Sequence, residues 1–273
     1  MSSQETQNIT QTAVASIVRW KVGFLLSAVA LVALFQRVSI SVAGDSIMRE
    51  FQFSQTRMGT VFSAFVLGYT LFQVPGGMLA DRWGTKKVLG WAMVSWSLFT
   101  FLTGLIGKIS LLTGLGVLNT LIALRFLFGI FQAPLFPSST RLVANWFPAR
   151  ERASGNALAL TGISLGSLLM PPIVSWIVLS WSWQSSFYLA ALLSLLVGAV
   201  WSFYVRGYPS QHYAVNPAEV SLIVGGAPPN QDCPKDSRSL LSQLWSGDLW
   251  RLVVSYTLQG YFDMCLSFGS ICT

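Results

Sequence analysis

Charged side chains are scarce in this 273-residue chain. Asp, Glu, Lys and Arg together make up 10% of it, where a soluble domain carries about 25%. That scarcity argues against an ordinary water-facing domain. Histidine is scarcer still, represented only by His212. The three cysteines, Cys233, Cys265 and Cys272, follow no metal-ligand or redox spacing, so they read as ordinary reduced thiols and imply no cofactor. A paired-histidine set, metal-spaced acids, a nucleophile motif and a glycine-rich phosphate loop are all missing, which removes the common signatures of a membrane-embedded enzyme. An early basic-then-apolar leader pattern is missing as well. Residues 1–18, rich in Ser, Thr and Gln, are predicted to form a flexible tail and not a cleaved signal.

What the chain has is apolar bulk. Hydrophobic residues make up 53%, with 11 Trp and 18 Phe, and the mean hydropathy is +0.58. The most telling junction is Gly76 to Lys87, GGMLADRWGTKK, directly after an apolar run from Val61 to Pro75. Ionised side chains are costly in hydrocarbon, so a cluster of Asp81, Arg82, Lys86 and Lys87 between two apolar stretches belongs at a membrane face. A span takes about 20 apolar residues. On that ruler helices are predicted at about 20–43, 57–80, 86–107, 114–145, 152–178 and 184–205, with a seventh starting near 250 and cut off at Thr273. The chain divides into a tail (1–19), a six-helix bundle (20–205), a Pro- and Gly-rich linker (206–249) and the start of a second bundle (250–273).

Cations set the orientation, since Lys and Arg are retained on the cytoplasmic side. Arg19 and Lys21, Arg82, Lys86 and Lys87, Arg150 and Arg152, then Arg206, Lys235 and Arg238 fall on alternate connections. Arg49, Arg57 and Lys108 fall on the others. A multi-pass protein of the cell (inner) membrane with a cytoplasmic amino terminus is expected. The net charge of +7 is then topology, and nucleic acid is not an expected partner. Pro134 and Pro137 are predicted to interrupt the fourth span, and Pro171 and Pro172 the fifth. Gly155, Gly162, Gly166, Ser164 and Ser167 are predicted to give the fifth span a packing face of small residues. Trp176, Trp181 and Trp183 read as an interfacial belt.

Three stretches together resemble a known family. Gly77, Asp81, Arg82, Gly84, Lys86 and Lys87 match a loop pattern of Gly, acid-Arg pair, Gly and two cations. LRFLFGIFQAPLFPSSTRLVANWFPARERASG carries Arg125, Gly129, Pro134, Pro137, Arg141, Trp146, Phe147, Pro148 and Arg152 in register. QRVSISVAG, from Gln36 to Gly44, sets an arginine before a run of small residues. Over about residues 20–230 the chain resembles the amino-terminal half of a major facilitator superfamily transporter, closest to the anion:cation symporter branch. The resemblance implies an all-α membrane protein: a six-helix bundle of two inverted three-helix repeats plus a partial seventh helix. It also implies alternating-access transport of a small organic anion such as a carboxylate or sugar acid. A carboxy-terminal half or a second copy is the expected partner for the other wall of the cavity, beside the lipid bilayer.

Site residues follow from both sources. Arg37 is an always-ionised guanidinium in mid-span, which needs an anion, a carboxylate or water, and its fork suits a substrate carboxylate. The alternative is pairing to backbone carbonyls at a kink. Arg125 reads as a second substrate or gating contact, or as an interfacial arginine whose head reaches water. Tyr69 and Gln73, four apart on one helical face, read as substrate hydrogen-bonders or as glue between helices. The resemblance assigns gating to Gly77, Asp81, Arg82, Gly84, Lys86, Lys87, Arg141 and Arg152. Gln36 and Gln132 stand where proton-coupled members have an aspartate and a glutamate. An amide does not titrate in the physiological range, so the usual coupling pair is absent: a facilitator, an exchanger or a sodium-coupled carrier is expected, or the proton role passes to Asp263 or Asp45. His212 reads as a solvated linker residue. A non-transporting truncated half, or a structural membrane partner, remains the alternative.

Overall fold

The computed structural model describes residues 15–224 together with Gly247, Trp250, Arg251, Val254, Ser255 and Leu258. By contacts the chain falls into two units, 1–227 and 228–273. The helices of the first unit are α1 (Val18–Phe51), α2 (Gln55–Trp83), α3 (Thr85–Gly104), α4 (Ile106–Thr113), α5 (Val117–Gln132), α6 (Leu135–Trp146), α7 (Arg152–Ser180), α8 (Trp183–Tyr204) and α9 (Pro217–Val224). No strand occurs among the described residues. Within the second unit the six described residues are helical. The cysteines, Asp263, residues 1–14 and most of the predicted second bundle lie outside the described residues.

Five helical segments are long and apolar enough to cross a membrane, and α3 with α4 makes a sixth if that pair, bent by 87°, is one span. The chain is a multi-pass membrane protein. The span predicted at 114–145 is α5 plus α6, broken at Ala133 and Pro134, where Pro134 precedes the first residue of α6. Pro137 does not interrupt anything: it lies in the first turn of α6, where a missing N–H costs little. Pro171 and Pro172 also fail to interrupt the fifth span. Helix α7 runs through both, as membrane helices do when neighbours accommodate the freed groups. Helix α1 extends eight residues beyond its predicted end, carrying Asp45, Arg49 and Glu50. Its 34 residues measure about 51 Å at 1.5 Å per residue, longer than the hydrocarbon core.

Packing reveals an internal symmetry. Numbering the spans one to six as α1, α2, α3–α4, α5–α6, α7 and α8, the most extensive interfaces join one with five, two with four and three with six. The next join one with six and three with four. Exchanging spans 1, 2, 3 for 4, 5, 6 leaves this set unchanged. Because each half has an odd number of spans, the second half starts from the opposite membrane face, so the two repeats are inverted. The matched crossings also share their chemistry. A Cβ on Gly162 of span five would stand 2.1 Å from the Ser27 carbonyl oxygen of span one, and one on Gly68 of span two would stand 2.4 Å from that of Phe126 in span four. Only glycine lets those backbones touch. Ser164 and Ser167, predicted on the same face as Gly162, are exposed instead, and Ser164 bonds back to the Leu160 carbonyl.

Aromatic side chains fill the centre, with Trp96, Trp146, Trp201, Phe35, Phe128 and Phe187 all fully buried. Of the predicted belt, Trp176 and Trp181 are exposed with their rings tilted against each other at 5.7 Å, whereas Trp183 is buried and donates to Glu50 at 2.6 Å.

At the end of the bundle where cations concentrate, the first part of the predicted linker is folded against the helices. Trp146 donates to the Arg206 carbonyl. His212, expected to be solvated, is buried at 4% exposure among the rings of Trp146, Tyr204 and Tyr213. The last residues of the predicted flexible tail are tied in too. Ser16 bonds Asn216 and Glu219, and the guanidinium of Arg19 joins Glu151 at 2.8 Å to the fully buried Glu219 at 3.2 Å.

Candidate functional site

Arg37 lies in the middle third of α1, half-buried. Its Nε donates to Gln132 Oε1 at 2.5 Å, and its guanidinium lies over the rings of Phe65 at 5.2 Å and Tyr69 at 4.7 Å. The Gln132 amide is fully buried, and its Nε2 donates to the Ala33 carbonyl at 3.3 Å, which fixes which way the amide points. Arg37 Nη2 is buried without a partner. Among the described residues the guanidinium is neither turned to backbone carbonyls nor matched by a carboxylate.

Arg125, on α5, is more deeply enclosed at 2% exposure. It does not reach an interface, and its Nε and Nη2 have no hydrogen-bond partner. Its contacts are the faces of Phe128 at 5.3 Å and Phe187 at 5.4 Å. A desolvated cation–π contact returns about 2 kcal/mol, while drying an ion costs several. Two such contacts offset that cost only in part, and the Nε and Nη2 hydrogens stay unpartnered among the described residues.

The two arginines are bridged by aromatic rings, because Phe65 and Phe128 stand 5.6 Å apart. Arg37, Tyr69, Gln132 and Arg125 therefore belong to one constellation. Gln73, one turn beyond Tyr69, is half-buried on α2. Gln36 belongs elsewhere. It is fully buried on another face of α1, donating to the Ala190 carbonyl of α8 at 3.4 Å, with its oxygen unpartnered.

The residues expected to gate divide in the same way. Asp81 and Arg141 form an ion pair between α2 and α6. Gly76 and Gly77 allow it, since they pack directly on Pro134 and Pro137. Arg152 does not join them: it donates to the carbonyls of Ala144 and Phe147, closing the end of α6. Gly84, at φ +87°, turns the chain from α2 into α3. Arg82, Lys86 and Lys87 make no ion pair among the described residues. Asp45 is exposed toward the other end of α1.

Sequence reasoning missed the aromatic partners. Phe128 three residues after Arg125 and Phe65 four before Tyr69 were the available signals, being same-face helical spacings. It also missed that Gln132 holds Arg37 across 95 residues of chain, and that Arg19, Glu151 and Glu219 converge.

The described residues thus form a membrane bundle of inverted repeats with two arginines among aromatic rings inside it. The chain matches the Major Facilitator Superfamily over residues 24–271. It belongs to that family. It is 35% identical over 219 residues to a probable galactarate/D-glucarate transporter of Bacillus subtilis (strain 168), covering 80% of this chain and 47% of that one. It is 35% identical over 182 residues to a hexuronate transporter of the same organism, covering 67% and 41%. With a D-galactonate transporter of Escherichia coli O6:H1 it shares 34% identity over 237 residues, covering 85% and 51%. The chain thus spans about half the length of the curated relatives it matches. Among solved structures, an inward-facing, occupied bacterial homologue of the human lysosomal transporter Spinster superposes with a TM-score of 0.59 at 18% identity, covering 74% of this chain and 47% of that one. The proton:xylose symporter of Escherichia coli superposes with 0.58 at 16%, covering 70% and 45%. These two likenesses concern the fold.

Proposed function

We propose that this chain supplies the anion-holding bundle of a carrier for sugar acids, moving its substrate across the cell membrane unchanged and without enzymatic chemistry. The observation that carries this is the pair Arg37 and Arg125: two guanidiniums within the bundle, bridged by Phe65 and Phe128, with no carboxylate on either among the described residues. The relatives named for galactarate, glucarate, hexuronate and galactonate support a polyhydroxy carboxylate as the class. In this reading the carboxylate takes the free Nη2 of Arg37, Tyr69 and Gln73 bond its hydroxyls, and Arg125 supplies the second positive charge. Asp81 with Arg141 holds one conformational state at the cytoplasmic end, and Gly77, Arg82, Gly84, Lys86, Lys87 and Arg152 shape that end. The cation-rich connections support a cytoplasmic amino terminus.

Coupling follows from the amides. Gln36 and Gln132 carry no titratable proton, so the carrier runs without the usual proton-coupling pair, as a facilitator, an exchanger or a sodium-coupled carrier. The half-length match to the relatives keeps a second reading, a bundle that transports only with a partner, or not at all. Uptake of radiolabelled D-glucarate and D-galactonate tests both, in cells or vesicles carrying the chain alone and the chain co-expressed with a six-helix carboxy-terminal half of a relative. Saturable uptake abolished by Arg37→Gln supports the carrier. Folded, membrane-inserted protein with no uptake in either arrangement refutes it.

A further inference from the structure

Away from the arginine centre, the start of α3 combines features that shaping the cytoplasmic end does not account for. Trp91 is 71% exposed and stands between two hollows. One, of about 380 Å³, lies between α2, α3 and α5 and is walled almost wholly by hydrocarbon, including Phe72, Pro75, Leu79, Trp83 and Pro134. It follows α2 from Trp83 to Phe72. Eleven residues of helix rise about 16 Å, which is the depth of one leaflet of a hydrocarbon core about 30 Å thick. The other hollow, of about 310 Å³, is lined by Lys86, Lys87, Gly90, Trp91, Val94 and Ser202.

The charge at this spot is one-sided. Lys86 and Lys87 occupy the first turn of α3, the positive end of the helix dipole, and the N-cap Gly84 offers no side-chain oxygen to the free amides. Arg206 stands within electrostatic reach of Lys86 and repels it. Neither lysine has an acidic partner among the described residues. Cations placed on a positive helix end cost stability unless an anion sits among them.

We propose that the start of α3 is a binding site for an anionic glycerophospholipid. Its headgroup phosphate lies on Lys86, Lys87 and the free amides of the first turn. One acyl chain descends the groove toward Phe72, the second passes on the α8 side, and Trp91 wedges between them. The charge complementarity, the leaflet-deep groove beginning beside the cations and the exposed Trp83 and Trp91 at the level of the headgroups all favour a lipid over a soluble anion. The site is separate from the arginine centre, and its test reads lipid retention and not uptake, so its failure and that of the transport reading are distinguishable.

Native mass spectrometry of the full chain, extracted in mild detergent and equilibrated with equal phosphatidylglycerol and phosphatidylcholine, tests this. Phosphatidylglycerol is expected to be retained about tenfold or more over phosphatidylcholine, since each cation near an anionic headgroup contributes severalfold. The double substitution Lys86→Gln/Lys87→Gln should bring the two lipids level, Lys86→Arg/Lys87→Arg should keep the preference, and Trp91→Ala should lower retention of both. Millimolar inorganic phosphate should not displace the lipid. Equal retention by the unsubstituted chain, an unchanged preference in the glutamine variant, displacement by phosphate alone, or expulsion of the lipid by a co-expressed second bundle would each overturn the assignment.

Discussion

Replacing Gln132 with glutamate tests the logic of the arginine centre most directly. In the native chain the Gln132 amide uses its oxygen to hold Arg37 Nε and its nitrogen to donate to the Ala33 carbonyl. A protonated glutamic acid reproduces both roles, while an ionised one loses the donor and presents a full negative charge to Arg37. At about 4 Å and an effective dielectric constant of about 20, that pair is worth roughly 4 kcal/mol. Desolvating the new carboxylate in a fully buried position takes back part of it. A net of about 1.5–3 kcal/mol then competes with the substrate carboxylate for the same guanidinium, and every 1.4 kcal/mol is about tenfold in affinity. Gln132→Glu is therefore expected to weaken sugar-acid binding roughly ten- to a hundredfold. The interaction that favours the pair also keeps the carboxyl ionised, so the weakening should persist from about pH 5 to 8. Ligand-induced thermal shift or calorimetry on the purified protein across that range reads it. A folded Gln132→Glu protein that binds as the native one does, at every pH, would refute the claim that Arg37 is the anion-holding group.

Other expectations are simpler to state. Gly162→Val drives a side chain into the Ser27 carbonyl at the α1–α7 crossing and should destabilise by about 1–3 kcal/mol or more, as overpacking does; thermal unfolding in detergent reads it, and a stability unchanged from the native chain would contradict the close approach. Asp81→Asn removes one partner of an exposed ion pair and should cost less than about 1 kcal/mol of stability. It should nonetheless raise the accessibility of a cysteine reporter at the cationic end if the pair holds a closed state. Burial, first of all, and then Arg206 hold the His212 imidazole below the ordinary histidine range, outweighing the Tyr204 backbone and Glu219. Its Nδ1 accepts from the Ala214 N–H, as a neutral ring does. The unfolded segment therefore binds the proton more readily. Stability contributed by this docking is complete above about pH 6.5 and falls as the pH drops below that value. Hydrogen-exchange protection factors at 206–224, corrected for the slower intrinsic exchange at lower pH, should fall on acidification from pH 7.5, and His212→Phe should remove most of that dependence.

The sequence by itself determined the class of molecule. Apolar runs long enough to cross hydrocarbon and cations on alternate connections leave few other architectures, because the membrane penalises every misplaced charge and every unpaired amide. Arg37 and the Asp81 cluster were legible for the same reason: an ion in a span, or an acid at its edge, is anomalous wherever the helix sits. Which partners those groups meet was not legible. Gln132 reaches Arg37, and Glu219 reaches Arg19, only because spans four and one, and α9 and α1, are brought side by side. Such contacts depend on which helix faces touch, and no local propensity encodes that. Tertiary structure alone also decided that Arg152 closes a helix end instead of joining the ion pair, that Pro171 and Pro172 are absorbed without a break, and that His212 is packed among aromatic rings. In each case neighbouring elements supplied the bond or the burial that one stretch of chain cannot display.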